Sequence, residues 1–190
     1  MEYKLYRLTR PVITFIMKIF YRVKIKGKEN IPKDGSFILA GNHKSNLDCF
    51  LVISSTKRTI RFLAKKELLD KWKWLFKNMG IIPINRKTKN KEAVSEACEV
   101  LNSGGVIGIF PEGTFNKTEY VVMPFKMGTV KIAHDTGSII VPFAIKGKYR
   151  FLRKGVTIIF GKPYKIKKKS DLKNENIILM NKVIELLKES

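Results

Sequence analysis

Six short apolar runs constrain this chain most: FILAG at 37–41, IRFLA at 60–64, IIPI at 81–84, VIGIF at 106–110, IIVPFAI at 139–145 and VTIIF at 156–160. They are rich in β-branched and aromatic residues and nearly continuous, so as strands each needs cover on both faces. Helical patterns fall between or after them, near 47–56, 66–78, 90–103, 126–136 and 170–189. Buried strands alternating with helices predict an α/β fold, a single domain with a largely parallel mixed sheet covered by helices. The pair 139–145 and 156–160, joined by KGKYRFLRKG, reads as a hairpin or an edge addition. At 190 residues the chain suits one domain with a sizeable core.

The N-terminal stretch PVITFIMKIFY, residues 11–21, is apolar except for Lys18, and Arg7, Arg10, Arg22, Lys24 and Lys26 flank it. It is shorter than the roughly 20 apolar residues that span a bilayer, and no small-residue cleavage site follows it. Two readings are open: a helix lying in a membrane interface, or a terminal helix packed on the core. The first divides the chain into a membrane-interface helix, 1–22, and a main domain, 23–190. Trp74 in KWKWLFK points the same way. In the 66–78 pattern, Leu68, Trp72, Leu75 and Phe76 form the core stripe, and Trp74 falls about 200° round from Trp72, facing outward between Lys71 and Lys77.

Charge narrows the partners. There are 38 Lys and Arg against 16 Asp and Glu, a net +22. Such a field attracts an anionic membrane, nucleic acid or phosphorylated small molecules. No nucleic-acid motif accompanies it. Cys49 and Cys98 read as buried free thiols of a cytosol-facing protein, with no ligand spacing for a metal.

Four stretches carry candidate chemistry, three of them at the carboxyl ends of strands, where open α/β sheets place ligands. In GNHKSNLDCF, His43 and Asp48 would lie roughly 140° apart on one helix. They can meet if His43 sits in a loop and a helix starts near Ser45. Asp48 also fits a capping box with Ser45, and one carboxylate has acceptor sites enough for both tasks. In FPEGTFN, a turn through Glu112, Gly113 and Thr114 can present backbone N–H groups to an anion. In GIIPINR, Arg86 offers a rigid fork of donors that suits phosphate. Lys126, in MPFKMG, stands near the start of a helix whose N-terminus already favours anions. His134 reads as structural, with no visible acidic partner.

Taken in order, Asn42-His43 with Asp48, Gly80 through Ile84 to Arg86, Phe110-Pro111-Glu112-Gly113-Thr114 and Val141-Pro142 resemble the four blocks of the glycerolipid acyltransferase family, the lysophosphatidate acyltransferases. AKKEL at 64–68 is similar to that family's sequence between the first two blocks, and the likeness covers roughly residues 25–165. The resemblance implies transfer of a fatty acyl group from acyl-CoA or acyl-carrier protein to 1-acylglycerol 3-phosphate, forming phosphatidate, with neither cofactor nor metal. It implies that His43 is the general base and Asp48 its orienter, and that Arg86 binds the acceptor phosphate with help from the 112–114 turn. The third block of the family usually continues with Arg and Ser, whereas Phe115 and Asn116 stand here. Lys117 or Lys126 then replaces the missing cation, or the acceptor is another lysolipid or phosphate compound. The expected setting is the cytoplasmic face of the cell membrane, peripheral or monotopic. A rival of another class, a non-catalytic basic module binding membrane or nucleic acid, accounts for the charge but not for the His43 and Asp48 pair.

Overall fold

The computed structural model describes residues 3–66, 74, 78–85 and 90–189. Along them run helix α1 (Lys4–Ile19), strands β1 (Lys24–Lys26) and β2 (Phe37–Gly41), helix α2 (Leu47–Ser55), strands β3 (Ile60–Lys65) and β4 (Ile82–Ile84), and helix α3 (Lys91–Asn102). Strand β5 (Val106–Ile109), helix α4 (Gly128–Thr136), strands β6 (Ile139–Gly147) and β7 (Val156–Phe160) and helix α5 (Leu172–Lys188) complete them. The six predicted strands are all present, within two residues at each end. The helical stretch expected at 66–78 lies outside the described residues except for 66, 74 and 78.

The strands form one sheet in the order β1-β7-β6-β2-β5-β3-β4. β6, β2, β5, β3 and β4 run parallel to one another. β7 turns back antiparallel on β6, and β1 lies parallel to β7 at the edge. This is the expected mainly parallel mixed sheet, and 139–145 with 156–160 is indeed a hairpin. β1 was not expected, because Lys-Ile-Lys carries no apolar run and its burial only alternates.

Continuous burial explains why the central strands read so clearly. All five residues of β2 are buried, alternating between two cores. Ile38 and Ala40 face the core shared with α3, α4 and α5; Phe37 and Leu39 face the core shared with α1 and α2. α5 begins with a side-chain cap, Asp171 accepting from the Lys173 and Asn174 amides, which satisfies two of the free N–H groups of a helix start.

Helix α1 packs one face on the core and leaves the other open. Tyr6 and Met17 are buried, the Tyr6 hydroxyl accepts from the Ile60 amide at 3.1 Å, and Arg10 Nε donates to the Thr56 carbonyl at 2.8 Å. The opposite face exposes Leu8, Val12, Phe15, Ile16 and Ile19. Two expectations need correcting. Cys49 and Cys98 are half-buried rather than buried, though both are free thiols. His134 does have an acidic neighbour, its Nδ1 lying 3.2 Å from Asp135 Oδ1 while Nε2 faces the Lys168 carbonyl at 3.0 Å. The helix ends there, so the solvent side of its last turn is polar.

Candidate active site

β6, β2 and β5 are adjacent and parallel, so the segments that follow them converge at one edge of the sheet. β2 leads into His43, β5 into the 110–116 turn, and β6 into the hairpin loop 148–155. Gly41 lets the chain leave β2 tightly: a Cβ there would lie 2.3 Å from the Phe143 carbonyl oxygen. Asn42 then extends the ladder with its side chain, donating to the Ile145 carbonyl at 3.0 Å and accepting from the Ile145 amide at 2.7 Å.

His43 sits in the loop before α2, and Asp48 in the first turn of α2, as the spacing allowed. His43 Nδ1 lies 2.9 Å from Asp48 Oδ2. That partner fixes the tautomer with the proton on Nδ1 and leaves Nε2 as the lone-pair nitrogen. The imidazole keeps an open edge at 14% exposure, while Asp48 is at 0%. Asp48 also caps. Its Oδ2 accepts from the Lys44 amide at 2.6 Å and the Ser45 amide at 2.8 Å, and its Oδ1 accepts from the Tyr149 hydroxyl at 2.7 Å. Orientation and capping are therefore one arrangement: the loop amides fix the carboxylate, and the carboxylate fixes the ring.

The 110–116 turn clamps the histidine backbone. Glu112 Oε1 accepts from the His43 amide at 2.7 Å, Glu112 Oε2 accepts from the Met123 amide at 2.8 Å, and the Asn116 amide donates to the His43 carbonyl at 2.9 Å. Burial pushes the Glu112 carboxyl above the usual range, and the two amides pull it back. Glu112 was expected to help hold an anion, but both its oxygens are engaged with backbone, so it acts here as a bracket. Gly113 takes a left-handed φ of 69°, and the Lys126 ammonium lies over it, 2.9 Å from where a Cβ would stand. Thr114 and Lys126 are exposed beside that glycine. Arg86, the expected phosphate ligand, lies outside the described residues.

Aromatic rings grip the imidazole. Phe110 stacks on it at 3.9 Å between centroids and 13° between planes, and Phe115 tilts against it at 4.4 Å. Phe115 thus stands against the His43 ring itself. Tyr149 and Phe110 were not singled out from the sequence. Phe110 was quoted only as the start of a motif, and Tyr149 lies 101 residues from Asp48 with no local signal. Among the described residues no group of three or more His, Cys, Asp or Glu could hold a metal. The arrangement suits proton removal at Nε2: an oriented, carboxylate-backed imidazole on a parallel-sheet edge.

Comparison with known proteins places these features in context. A family model described as Acyltransferase matches residues 22–146. A 1-acyl-sn-glycerol-3-phosphate acyltransferase of Bacillus subtilis is 30% identical over 166 residues, covering 84% of this chain and 82% of that protein. One from Borreliella burgdorferi is 34% identical over 142 residues, 71% of this chain, and the match spans 55% of that longer protein. The crystal structure of the 1-acyl-sn-glycerophosphate (LPA) acyltransferase PlsC from Thermotoga maritima superposes with a TM-score of 0.77 at 27% identity, over 95% of this chain and 79% of that one.

Proposed function

Because the chain belongs to the acyltransferase family, we propose that it moves a fatty acyl group from a thioester donor to the free hydroxyl of 1-acylglycerol 3-phosphate, forming phosphatidate. The single observation that carries the mechanism is the 2.9 Å contact between His43 Nδ1 and a fully buried Asp48. His43 Nε2 takes the acceptor's hydroxyl proton as the oxygen attacks the thioester carbonyl. Asp48 steadies the imidazolium so formed. The tetrahedral intermediate collapses, the C–S bond breaks, and the imidazolium returns its proton to the departing thiolate. General-base help of this kind is worth about 10²–10⁴ in rate. The acceptor is itself the nucleophile, so no protein Ser or Cys is required. The donor is acyl-CoA or acyl-carrier protein, and its thiolate is a competent leaving group without metal or cofactor.

Arg86 binds the acceptor phosphate, with Gly113, Thr114 and Lys126 beside it. The exposed Lys126 over Gly113 supports its part in this, since it supplies a cation next to the turn where the family's usual arginine is absent. Phe115 against the imidazole favours a second reading, in which the acceptor is another lysolipid or phosphate compound whose apolar part meets that ring.

The protein works on an anionic membrane, on its cytoplasmic face. Two exposed apolar features support this. α1 presents Leu8, Val12, Phe15, Ile16 and Ile19 on one side, with Arg10 and Lys18 on the same helix. The β6–β7 loop presents Phe151 and Leu152, and Phe151 stacks on Phe20 just after α1, at 5.4 Å and 9°. Leu152 holds a left-handed φ of 56°, a strained backbone for a branched side chain at an exposed tip. Lys148, Arg150, Arg153 and Lys154 surround that tip, and no acidic residue falls between Asp135 and Asp171. No helix among the described residues is long and apolar enough to cross a membrane; the exposed apolar face of α1 beside basic residues suits an interfacial contact.

The test is purified protein on anionic vesicles with labelled acyl-CoA or acyl-carrier protein thioester and a panel of lysolipids. Labelled phosphatidate from lysophosphatidate is the expected product. Transfer to another acceptor instead establishes the second reading; no transfer to any acceptor overturns both. Arg86→Ala should raise the acceptor KM far more than the donor KM, and Phe115→Arg should strengthen any preference for lysophosphatidate.

A further inference from the structure

We propose that Tyr149 is a positioning residue for the catalytic pair, holding Asp48 so that Asp48 aligns His43. The three partners of Asp48 Oδ2 come from residues 43, 44 and 45, at 2.9, 2.6 and 2.8 Å. All are local to the loop and helix start. Oδ1 is held from elsewhere, by the Tyr149 hydroxyl at 2.7 Å. Without that donor, one oxygen of a carboxylate at 0% exposure loses its partner. The carboxylate plane is then free to swing about its Cβ–Cγ bond, and the imidazole swings with it.

Tyr149 is built to hold still. It lies two residues past the end of β6, the Lys148 amide donates to the Gly155 carbonyl at 2.8 Å to close the loop, and Tyr21 packs its ring against the Tyr149 ring at 5.9 Å and 87°. Burial, and then the neighbouring Asp48 charge, push the phenol far above its ordinary range, so it remains a donor. Phe110 and Phe115 hold the histidine by its faces; Tyr149 holds it through the acid. The other titratable or charged groups facing the pair, among the described residues, are Glu112 after β5, Cys49 on α2 and Lys44 in the loop. Tyr149 alone of these donates to Asp48 from a side chain on another element.

The role rests on the acyl-transfer reading for its catalytic consequence, but its first readout needs no substrate. The chain has two histidines, so nuclear magnetic resonance can follow both, with His134 as internal control. In full-length Tyr149→Phe, Asp48 Oδ1 loses its donor and the carboxylate loses its fixed orientation against the imidazole. The hydrogen-bonded Nδ1–H signal of His43 should weaken through faster exchange with water, while the His134 ring signals stay put. Turnover should fall about tenfold with the acceptor KM within about twofold of wild type, the pattern of a lost transition-state interaction. In an Asp48→Asn background the same change should cost less than about twofold, because coupled residues are not additive. Site-specific 3-fluorotyrosine at 149 preserves ring and fold and makes a stronger donor, so the His43 Nδ1–H signal should stay at least as protected as in wild type. An unchanged His43 Nδ1–H signal in Tyr149→Phe overturns the proposal, as does an equal loss of turnover in the two backgrounds. A weakened signal in Tyr149→Phe, in a protein inactive on every acceptor, supports the positioning contact while sinking the acyl-transfer reading.

Discussion

At the carboxyl ends of β6, β2 and β5, polar side chains are buried: Asn42, Asp48 and Glu112 are each 3% exposed or less, and all are hydrogen-bonded on both terminal atoms. Around α1 and the β6–β7 loop, large apolar side chains stand in solvent: Leu8, Val12, Phe15 and Phe151 are each 58% exposed or more. Folding alone favours neither arrangement. Burying a carboxylate costs free energy unless donors meet it, and a contiguous exposed apolar patch marks a surface that meets something else. The first region is completed internally, as the proposed chemistry needs. The second is left open to solvent, as the proposed membrane contact needs. Tyr149 and Phe151 belong to the same loop, two residues apart, one serving each region.

The sharpest break of the comparison is at the first region. His43→Ala should lower turnover by about 10³-fold or more, with circular dichroism and melting close to wild type, because the ring is held at an open edge rather than in the core. A folded His43→Ala protein with near-normal turnover ends the mechanism. Asp48→Asn keeps the shape but turns an amide donor toward groups that are themselves donors. Turnover should fall about 10²–10⁴-fold, and melting should drop as well, since buried donors lose an acceptor at about 1–3 kcal/mol each. Loss of melting temperature alone would reduce Asp48 to a cap.

The second region breaks differently. Phe15→Ser with Phe151→Ser should leave turnover on detergent-dispersed acceptor unchanged. Vesicle partitioning should weaken by roughly thirtyfold, from about 2 kcal/mol of lost apolar contact, read by flotation with anionic vesicles. Raising salt should weaken what remains, since each basic residue near an anionic surface contributes about 1 kcal/mol. These point changes are cleaner than removing the helix, because Tyr6 and Met17 belong to the core. Unchanged flotation would show that the exposed face serves something other than lipid.

Two smaller effects sharpen the boundary. Glu112→Gln should cost one of two backbone hydrogen bonds and lower turnover about tenfold, with a matching fall in melting temperature. A KM effect specific to the acceptor would instead make Glu112 part of the anion site. Trp74→Ala, at a side chain 72% exposed, should change vesicle binding by only about two- to threefold and leave melting unaltered; no change at all confines the membrane contact to α1 and the hairpin.

Much of this molecule was legible in the linear sequence. The strands from β2 to β7 were visible because burial on both faces leaves unbroken apolar runs, and β1 was not because an edge strand of three residues leaves no such run. The spacing of His43 and Asp48 allowed a pair across a loop and a helix start, since a continuous helix would have turned them apart. Charge and motif order pointed to an anionic lipid substrate. Tertiary structure decided the rest. Glu112 reaches His43 across 69 residues and Tyr149 reaches Asp48 across 101, and those meetings depend on β6 and β5 flanking β2 in the sheet, an order that no local pattern encodes. Packing likewise decided which apolar residues of α1 turn inward: Tyr6 and Met17 find the core, while Leu8, Val12 and Phe15 are left for water or lipid. Short-range periodicity sets what each segment becomes; only the contacts between distant segments set what each side chain meets.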